Sequence, residues 1–172
     1  MTTSRPAPDE YAPAFAGYVG AIGEHEDILQ ALGRQHADFL AWLGRLPPTR
    51  GDHRYAPDKW SIKEVVGHLS DTERVFAYRA LRIGRGDPTP LPGYDDQAYV
   101  PEQRAADRAL ADLAEEWGAV RGATLTLLRN LPPAGWTRIG VASDHPASVR
   151  ALAYVIAGHV RHHFEVLEAR YT

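Results

Sequence analysis

Four stretches of the sequence repeat their apolar residues at intervals of three and four, which is the spacing of one face of an α-helix. They begin near Ala21, at Ser61, at Leu110 and near Ser148, and prolines or glycines follow the first three. A helix with one apolar face buries that face against a neighbour, and four helices of about 20 to 29 residues pack most simply as a four-helix bundle. The sequence therefore predicts an all-α fold.

The second predicted helix has the clearest start. Ser61 and Glu64 have the spacing of a capping box, and Trp60 and Val65 have the spacing of a hydrophobic staple. These signals fix the helix start at Ser61. They also put His68 on the inward side, one turn before Thr72.

The inward faces of the predicted helices are apolar except at a few positions. The first carries Leu29, Leu32, His36, Phe39, Leu40, Leu43 and Leu46, and the second carries Val65, His68, Leu69, Thr72, Val75, Phe76 and Arg79. The third carries Leu110, Leu113, Trp117, Val120, Thr124, Leu127 and Leu131, and the last carries Val149, Leu152, Ile156, His159, His163 and Val166 or Leu167. The expected stops are Pro47-Pro48, Gly84 or Gly86, and Pro132-Pro133.

Segments rich in proline and glycine flank the helices. Residues 1–20 form a predicted extended N-terminal arm, because their composition cannot sustain a regular element, and residues 21–172 form the predicted bundle domain. Between Gly135 and Ala147 we expect only a brief extended turn, which is too short to found a sheet.

A long segment joins the second and third predicted helices. Its prolines between Gly84 and Pro101 predict a loop without helix or central strand. Loops of this length in compact domains are often functional. The candidates for one wall of a pocket are Tyr94, Asp95, Asp96 and Tyr99, and the alternative is a solvated connector.

The composition limits the possible functions. The 172 residues fit one domain, and the formal net charge of -3 gives no basic excess for binding a nucleic-acid backbone. No apolar run is long enough to span a membrane and no secretory signal opens the chain, so we expect a cytoplasmic protein. Because there is no cysteine, nitrogen and oxygen atoms must hold any metal, and thiol chemistry needs a small-molecule thiol.

Three histidines on the inward faces indicate a metal site. His159 and His163 are four residues apart, so their Cβ atoms lie about 5–6 Å apart on one helix face. With His68 they supply three imidazoles and leave a coordination position open, a set that suits zinc first and nickel next. The residues alone leave a second interpretation open, namely three separate structural histidines. His36 is expected to be a core or boundary residue rather than a ligand.

Two motifs resemble the DinB-like superfamily. One is the segment 55–74, Tyr-Ala-Pro-Asp-Lys-Trp-Ser-Ile-Lys-Glu-Val-Val-Gly-His-Leu-Ser-Asp-Thr-Glu-Arg, and the other is the segment 148–163, which ends in Gly-His-Val-Arg-His-His. The resemblance covers nearly the whole chain after the arm. It implies a four-helix bundle with a long crossover loop, usually a homodimer, that carries a divalent metal on three histidines. By this resemblance the ligands are His68, His159 and His163.

The resemblance also implies a kind of chemistry. Family members with known activity transfer low-molecular-weight thiols such as bacillithiol, or isomerise or hydrolyse substrates through a thiol. We therefore expect a metal-dependent transferase that conjugates such a thiol to small electrophiles. The alternatives are a metal-dependent hydrolase that activates water, and a non-catalytic stress-response or damage-response protein with a structural metal.

Further polar residues are weaker candidates for the site. Carboxylates that can orient the imidazoles are Asp71, Glu73 and Glu165. Arginines that can bind a substrate carboxylate are Arg79, Arg82 and Arg161. His162 lies about 100° around the helix from His163, so we expect it to face a neighbouring element or solvent.

Overall fold

The computed structural model describes residues 4–171. Its elements in chain order are α1 (Ala16–Ala21), α2 (Ile28–Arg45), α3 (Ile62–Gly84), α4 (Asp96–Glu102), α5 (Leu110–Arg129), α6 (Pro133–Trp136), β1 (Ile139–Ala142), β2 (His145–Ser148) and α7 (Val149–Arg170). The four long helices α2, α3, α5 and α7 form a bundle, which confirms the predicted fold class. Within residues 4–171 no helix combines the length and the apolar character that crossing a bilayer requires.

Helices α2 and α3 lie at opposite corners of the bundle, as do α5 and α7. Helices α2 and α3 each pack mainly against α5 and α7. The second half of α3 shares an apolar cluster with the first half of α7, and the first half of α3 shares another cluster with the second half of α7. Helices α3 and α7 are therefore antiparallel neighbours, and the histidines that they carry lie between the two clusters.

Serine caps set the positions of α3 and α7 along the chain. The Ser61 hydroxyl accepts a hydrogen bond from the Glu64 N–H at 3.2 Å, and the Glu64 carboxylate accepts one from the Ser61 N–H at 2.6 Å. The predicted capping box is thus confirmed. The Ser148 hydroxyl accepts from the Ala151 N–H at 3.0 Å, so α7 also begins where predicted.

The N-terminal segment is more regular than predicted. The expectation of an extended arm over residues 1–20 is wrong for its described part, because this part contains two short 3-10 helices and most of α1. Helix α1 packs against α7. Helix α2 begins at Ile28 rather than near Ala21, because the Asp27 side chain caps it by accepting from the Gln30 N–H at 2.9 Å. Residues 1–3 and 172 lie outside the described residues, and the division of the chain at residue 20 stays a prediction.

The segment between α3 and α5 contains a helix, so the expectation that its prolines exclude one is wrong. Three of the prolines, at positions 88, 90 and 92, precede α4, and Pro101 lies only in its last turn. The Asp95 side chain starts α4 by accepting from the N–H groups of Gln97 and Ala98. Helix α4 can therefore form after the proline-rich part of the segment has ended.

A small antiparallel sheet precedes α7. Strands β1 and β2 pair from Ile139 with Ser148 to Ala142 with His145, so the expectation that this segment is too short to found a sheet is wrong. The backbone of Leu91 bonds to the same hairpin, donating to the Val141 carbonyl at 2.9 Å. The hairpin thereby holds the proline-rich segment against the bundle.

The buried face of α5 differs from the prediction at one important position. Val120 and Leu127 are only half-buried, whereas Arg121 is completely buried. Its Nε and Nη2 atoms donate to the two carboxylate oxygens of Glu73 on α3, each at 2.8 Å. A prediction from periodicity assigns apolar residues to the buried face. The spacing within α5 does not show that α3 supplies a carboxylate partner for an arginine there.

Candidate metal centre

Three histidine side chains meet between α3 and α7. His68 lies in the second turn of α3, and His159 and His163 are one turn apart near the middle of α7. Each offers one ring nitrogen, and these three nitrogens lie within 4.8 Å of one another. The Nε2 atoms of His68 and His159 are 2.9 Å apart. The structure thus brings together the histidines that the sequence singles out.

The spacing of the His68 and His159 nitrogens is close to that of two ligands around one divalent metal. Two nitrogens bound to a tetrahedral zinc ion at about 2.0–2.1 Å lie about 3.3 Å apart, so the His68 and His159 rings need to separate by a few tenths of an ångström. Within residues 4–171 the cluster has three members and no fourth histidine or carboxylate. Three imidazole nitrogens suit zinc, nickel, cobalt or ferrous iron and leave a coordination position open.

Burial keeps the imidazoles in the neutral form that a metal ligand needs. It lowers the pKa of His68, against a smaller opposite effect of the Asp96 charge. Burial, and then repulsion from the neighbouring histidines, lowers the pKa of His159 well below its usual value. The same causes lower the pKa of His163 to about 3. At neutral pH the cluster therefore presents lone pairs rather than positive charges.

Aromatic side chains cover the cluster on two sides. The Trp60 ring centroid lies 4.7 Å from that of His68, and the Tyr18 ring of α1 meets His159 edge to face at 5.5 Å. Helix α1 approaches this closely because Gly158 has no side chain, since a Cβ there would lie 2.0 Å from the Tyr18 carbonyl oxygen. Gly158 thus allows the N-terminal segment to form one wall of the site.

A cavity of about 220 Å³ extends from His159. Its apolar wall comes from Phe15, Leu69, Phe76, Val155, Ile156 and Val160, and its polar wall from Tyr18, Thr72, Glu73, Arg79, Tyr94, Asp96 and Ser143. A second cavity of about 300 Å³ reaches His163 from the other side, beside Trp60 and Gln97. The histidine cluster therefore adjoins two cavities, one lined by His159 and the other by His163.

Comparison with known proteins agrees with this geometry. A family model described as the DinB superfamily matches residues 6–167, a range that includes α1 and all three histidines. The chain belongs to the DinB superfamily. The resemblance of the two motifs is thereby confirmed over nearly the whole chain. No curated protein matches the chain.

Among solved structures, this DinB-superfamily chain is similar to one described as "YfiT from Bacillus subtilis is a probable metal-dependent hydrolase with an unusual four-helix bundle topology". The two chains share 18% sequence identity, the match covers 98% of each, and the TM-score is 0.74. At this identity the likeness shows a common fold.

Two of the four candidates in the segment between Gly84 and Pro101 lie in the cavity wall of this DinB-superfamily chain. Tyr94 donates a hydrogen bond to the Thr72 hydroxyl at 3.2 Å, and Asp96 is half-buried beside it. Asp95 instead caps α4, and Tyr99 is exposed. The segment is therefore part of the site rather than only a connector.

Among the candidate arginines, only Arg79 lines the cavity beside His159. Arg82 pairs with Asp87, and Arg161 pairs with Glu26 at 3.1 Å. Both of these arginines are tied to carboxylates outside that cavity. Arg79 is therefore the candidate that the structure supports for binding a substrate carboxylate.

The candidate carboxylates are not placed to orient the imidazoles in the described structure. Glu73 is held by Arg121, Asp71 lies 3.6 Å from Arg74, and Glu165 is exposed. These three candidates are therefore not supported, and Glu165 is the exposed surface acid that is the commoner case.

The two other histidines that the sequence distinguishes lie where expected. His162 is exposed, with its ring 5.2 Å from that of His163. His36 is half-buried, with its ring 5.9 Å from that of Trp117. Neither belongs to the cluster of possible ligands.

Sequence reasoning misses the contribution of α1. Phe15 and Tyr18 line the cavity, although both fall in the predicted arm. Phe15 and Tyr18 are three residues apart, which is the spacing of one helical face, and this signal could have revealed them.

Proposed function

We propose that this protein is a metal-dependent enzyme that conjugates a low-molecular-weight thiol to small electrophiles. His68, His159 and His163 hold one divalent ion, zinc in the first place and nickel in the second. The observation that carries the proposal is the cluster of three neutral imidazole nitrogens, from two buried histidines and one half-buried histidine, with a cavity beside it. A structural metal would be expected to have a fourth protein ligand, so an open cluster favours catalysis.

Each element of the site has a role in this proposal. A divalent ion held there would act as a Lewis acid and lower the pKa of a thiol or a water molecule that binds to it. The chain has no cysteine, so a small molecule such as bacillithiol brings the thiol. Asp96 is a carboxylate in the same cavity wall, and its charge acts on His68 and Tyr18. We assign Asp96 to accept the proton that the nucleophile loses.

The cavity walls select and position the electrophile. Aromatic and aliphatic side chains of the N-terminal segment, α3 and α7 form the apolar wall of the space beside His159. Thr72, Tyr94 and Arg79 supply the few polar contacts that fix the orientation of a bound molecule. A volume of about 220 Å³ limits the electrophile to a small organic molecule.

Hydrolysis is the second candidate function. The solved structure of YfiT is described as that of a probable metal-dependent hydrolase, and the two chains share a fold. Under this alternative the same histidines hold the metal, and water replaces the thiol as the nucleophile in the same cavity. The homodimer that the family resemblance implies is part of either proposal, and light scattering of the purified protein tests it.

Metal analysis tests the first half of the proposal. Untagged protein is expected to contain one divalent ion per chain, and alanine at His68, His159 or His163 is expected to remove most of it. His36→Ala is the matched control, because His36 is a half-buried histidine outside the cluster. Full metal content in all three cluster variants would refute the site.

A reaction screen tests the second half. Zinc-loaded and nickel-loaded protein is mixed with several thiols and electrophiles, and products are followed by mass spectrometry beside metal-free protein. The proposal expects conjugates that need both thiol and metal and that disappear in His159→Ala. Hydrolysis without any thiol would replace the proposed reaction with the second candidate, and equal rates with and without metal would refute both.

A further inference from the structure

We propose that the end of the cavity farthest from the histidines is a carboxylate-binding subsite and that Arg79 recognises the carboxylate. The substrate class is then an organic carboxylate whose reactive group lies at the histidine end. The reaction at that end rests on the proposed function, whereas the binding of the anion by Arg79 does not.

Arg79 is a buried cation without an anionic partner in the described chain. It is 3% exposed, and its Nη2 atom donates to the Pro92 carbonyl at 2.8 Å and to the Ser143 hydroxyl at 2.9 Å. Within residues 4–171 no carboxylate pairs with it, and no acceptor takes the protons of its Nε and Nη1 atoms. Burial without such a partner lowers the pKa of Arg79. A buried charge is costly unless an opposite charge compensates it.

The other buried arginine of the described residues, Arg121, has a guanidinium whose charge is compensated by a carboxylate. Arg121 donates to both oxygens of Glu73, to the Leu32 carbonyl and to the Gln35 side chain. Arg79 has neutral acceptors only, and it lies in a cavity wall. The difference indicates that the anion for Arg79 comes from a ligand.

Two aromatic rings hold the Arg79 guanidinium in place. Its Cζ atom lies 5.2 Å from the centre of the Phe76 ring and 5.7 Å from that of Tyr94. Both rings line the same cavity, and the hydroxyl of Tyr94 is fixed on Thr72. A guanidinium held in this way keeps its planar donor geometry, which matches a carboxylate.

The position of Arg79 on α3 sets the length of the ligand. It lies three turns after His68, which is about 16 Å along the helix axis. The side chains of His68 and Arg79 both lean towards the N-terminus of α3, so the lean displaces their polar ends in the same direction and changes this separation little. A ligand that reaches both ends therefore spans about twelve bonds in extended form.

Two acidic residues also line the cavity, and their positions favour one orientation of an anion. Glu73 is already neutralised by Arg121. The charge of Asp96 acts on Tyr18, His68 and Tyr94, so it lies between the histidine cluster and Tyr94. A carboxylate is thus repelled from the Asp96 side of the cavity and attracted to Arg79.

Binding of a matched pair of probes tests this inference. Octanoate and its neutral amide, octanamide, are titrated by calorimetry into zinc-loaded and into chelator-stripped protein. Octanoate is expected to bind about 10- to 100-fold more tightly than octanamide in both forms, because the extra interaction is a charge-assisted hydrogen bond to a buried group. Arg79→Met is expected to abolish this preference. Arg82→Met is the control and is expected to leave it unchanged, since Arg82 lies outside the cavity.

Further variants separate recognition from structural support. Ser143→Gly removes one neutral acceptor of Arg79 at a residue whose φ of 53° suits glycine, and it is expected to keep the preference for octanoate. If Arg79→Met does not fold, Arg79→Lys keeps the charge without the planar fork and is expected to weaken the preference several-fold.

Three results would overturn the subsite. They are equal binding of the two probes, a preference that survives in folded Arg79→Met, and a preference seen only with zinc. The last would mean that the carboxylate binds at the histidine cluster, which leaves the proposed function intact. Absence of metal binding together with an Arg79-dependent preference would instead refute the proposed function and support the subsite.

Discussion

Replacing Arg121 with methionine is expected to be among the most destabilising single changes in the bundle. The side chains of Arg121 and Glu73 are 0% and 1% exposed, and two hydrogen bonds of 2.8 Å join them. Arg121 also donates to the Gln35 side chain at 3.2 Å, and the Gln35 amide donates to the Ala157 carbonyl at 2.8 Å. The substitution therefore leaves a buried carboxylate without its cation and removes one link between α2, α3, α5 and α7.

The expected loss follows from the burial of the pair. Removing one partner of a buried ion pair costs about 3–5 kcal/mol, because the remaining charge is left uncompensated. A domain of this size has a free energy of unfolding of about 5–15 kcal/mol, so the loss is a large fraction of the total. In the double variant Glu73→Gln with Arg121→Met no buried charge remains, and we expect it to recover about 2 kcal/mol or more relative to Arg121→Met.

Urea denaturation followed by tryptophan fluorescence and by circular dichroism measures these differences, with chelator present so that metal does not contribute. The control is Arg74→Met, because Arg74 joins the same two helices through Glu116 at 2.6 Å but is 48% exposed. We expect that control to cost about 1 kcal/mol or less. The reasoning fails if Arg121→Met costs no more than the control, or if the double variant is no more stable than Arg121→Met.

Three further predictions concern pH, capping and the approach of α1. The pKa of His163 is lowered from 6.5 to about 3, so between these pH values the unfolded chain takes up a proton that the folded metal-free chain does not. The urea midpoint of unfolding should therefore fall as the pH drops through this window, and a midpoint that does not change with pH would contradict this. Ser61→Ala should lower the free energy of unfolding by about 1 kcal/mol, and an unchanged urea midpoint would show that the cap does not hold α3. Gly158→Ala should displace α1 and weaken the packing around His159. Gly17→Ala should not, because no atom lies within 4 Å of a Cβ added at Gly17. Proteolysis of the N-terminal segment should therefore be faster in Gly158→Ala than in Gly17→Ala, and equal rates would contradict this.

The helices that carry the histidines could be predicted because their signals are local. The capping box at Ser61 and the cap at Ser148 fix where α3 and α7 begin, and periodicity then puts His68, His159 and His163 on inward faces. Because α3 and α7 are antiparallel neighbours, these inward residues meet between the two apolar clusters. The local signals thus identify the three inward histidines, whereas the structure shows that α3 and α7 are neighbours.

The features that could not be predicted depend on distant partners. Arg121 is buried only because Glu73 on another helix compensates its charge, and no pattern within α5 reports that. Helix α4 is hidden by the prolines before it and depends on the Asp95 cap. The close approach of α1 depends on Gly158, which comes more than a hundred residues later. In each case the deciding residue lies outside the local pattern.

The parts of the site that local signals predict and the parts that they do not predict also have different roles. The three histidines lie on two long bundle helices, whereas much of the polar wall of the cavity comes from the segments that connect them. Tyr18 lies on α1, Tyr94 and Asp96 lie at the start of α4, and Ser143 lies in the hairpin turn. Connecting segments tolerate sequence change better than packed helices do. Arg79, to which we assign recognition of a carboxylate, lies on the bundle helix α3. A chain that kept this bundle and exchanged the connecting segments is therefore expected to keep the histidine cluster and Arg79, and to change the other polar contacts that a substrate meets in the cavity.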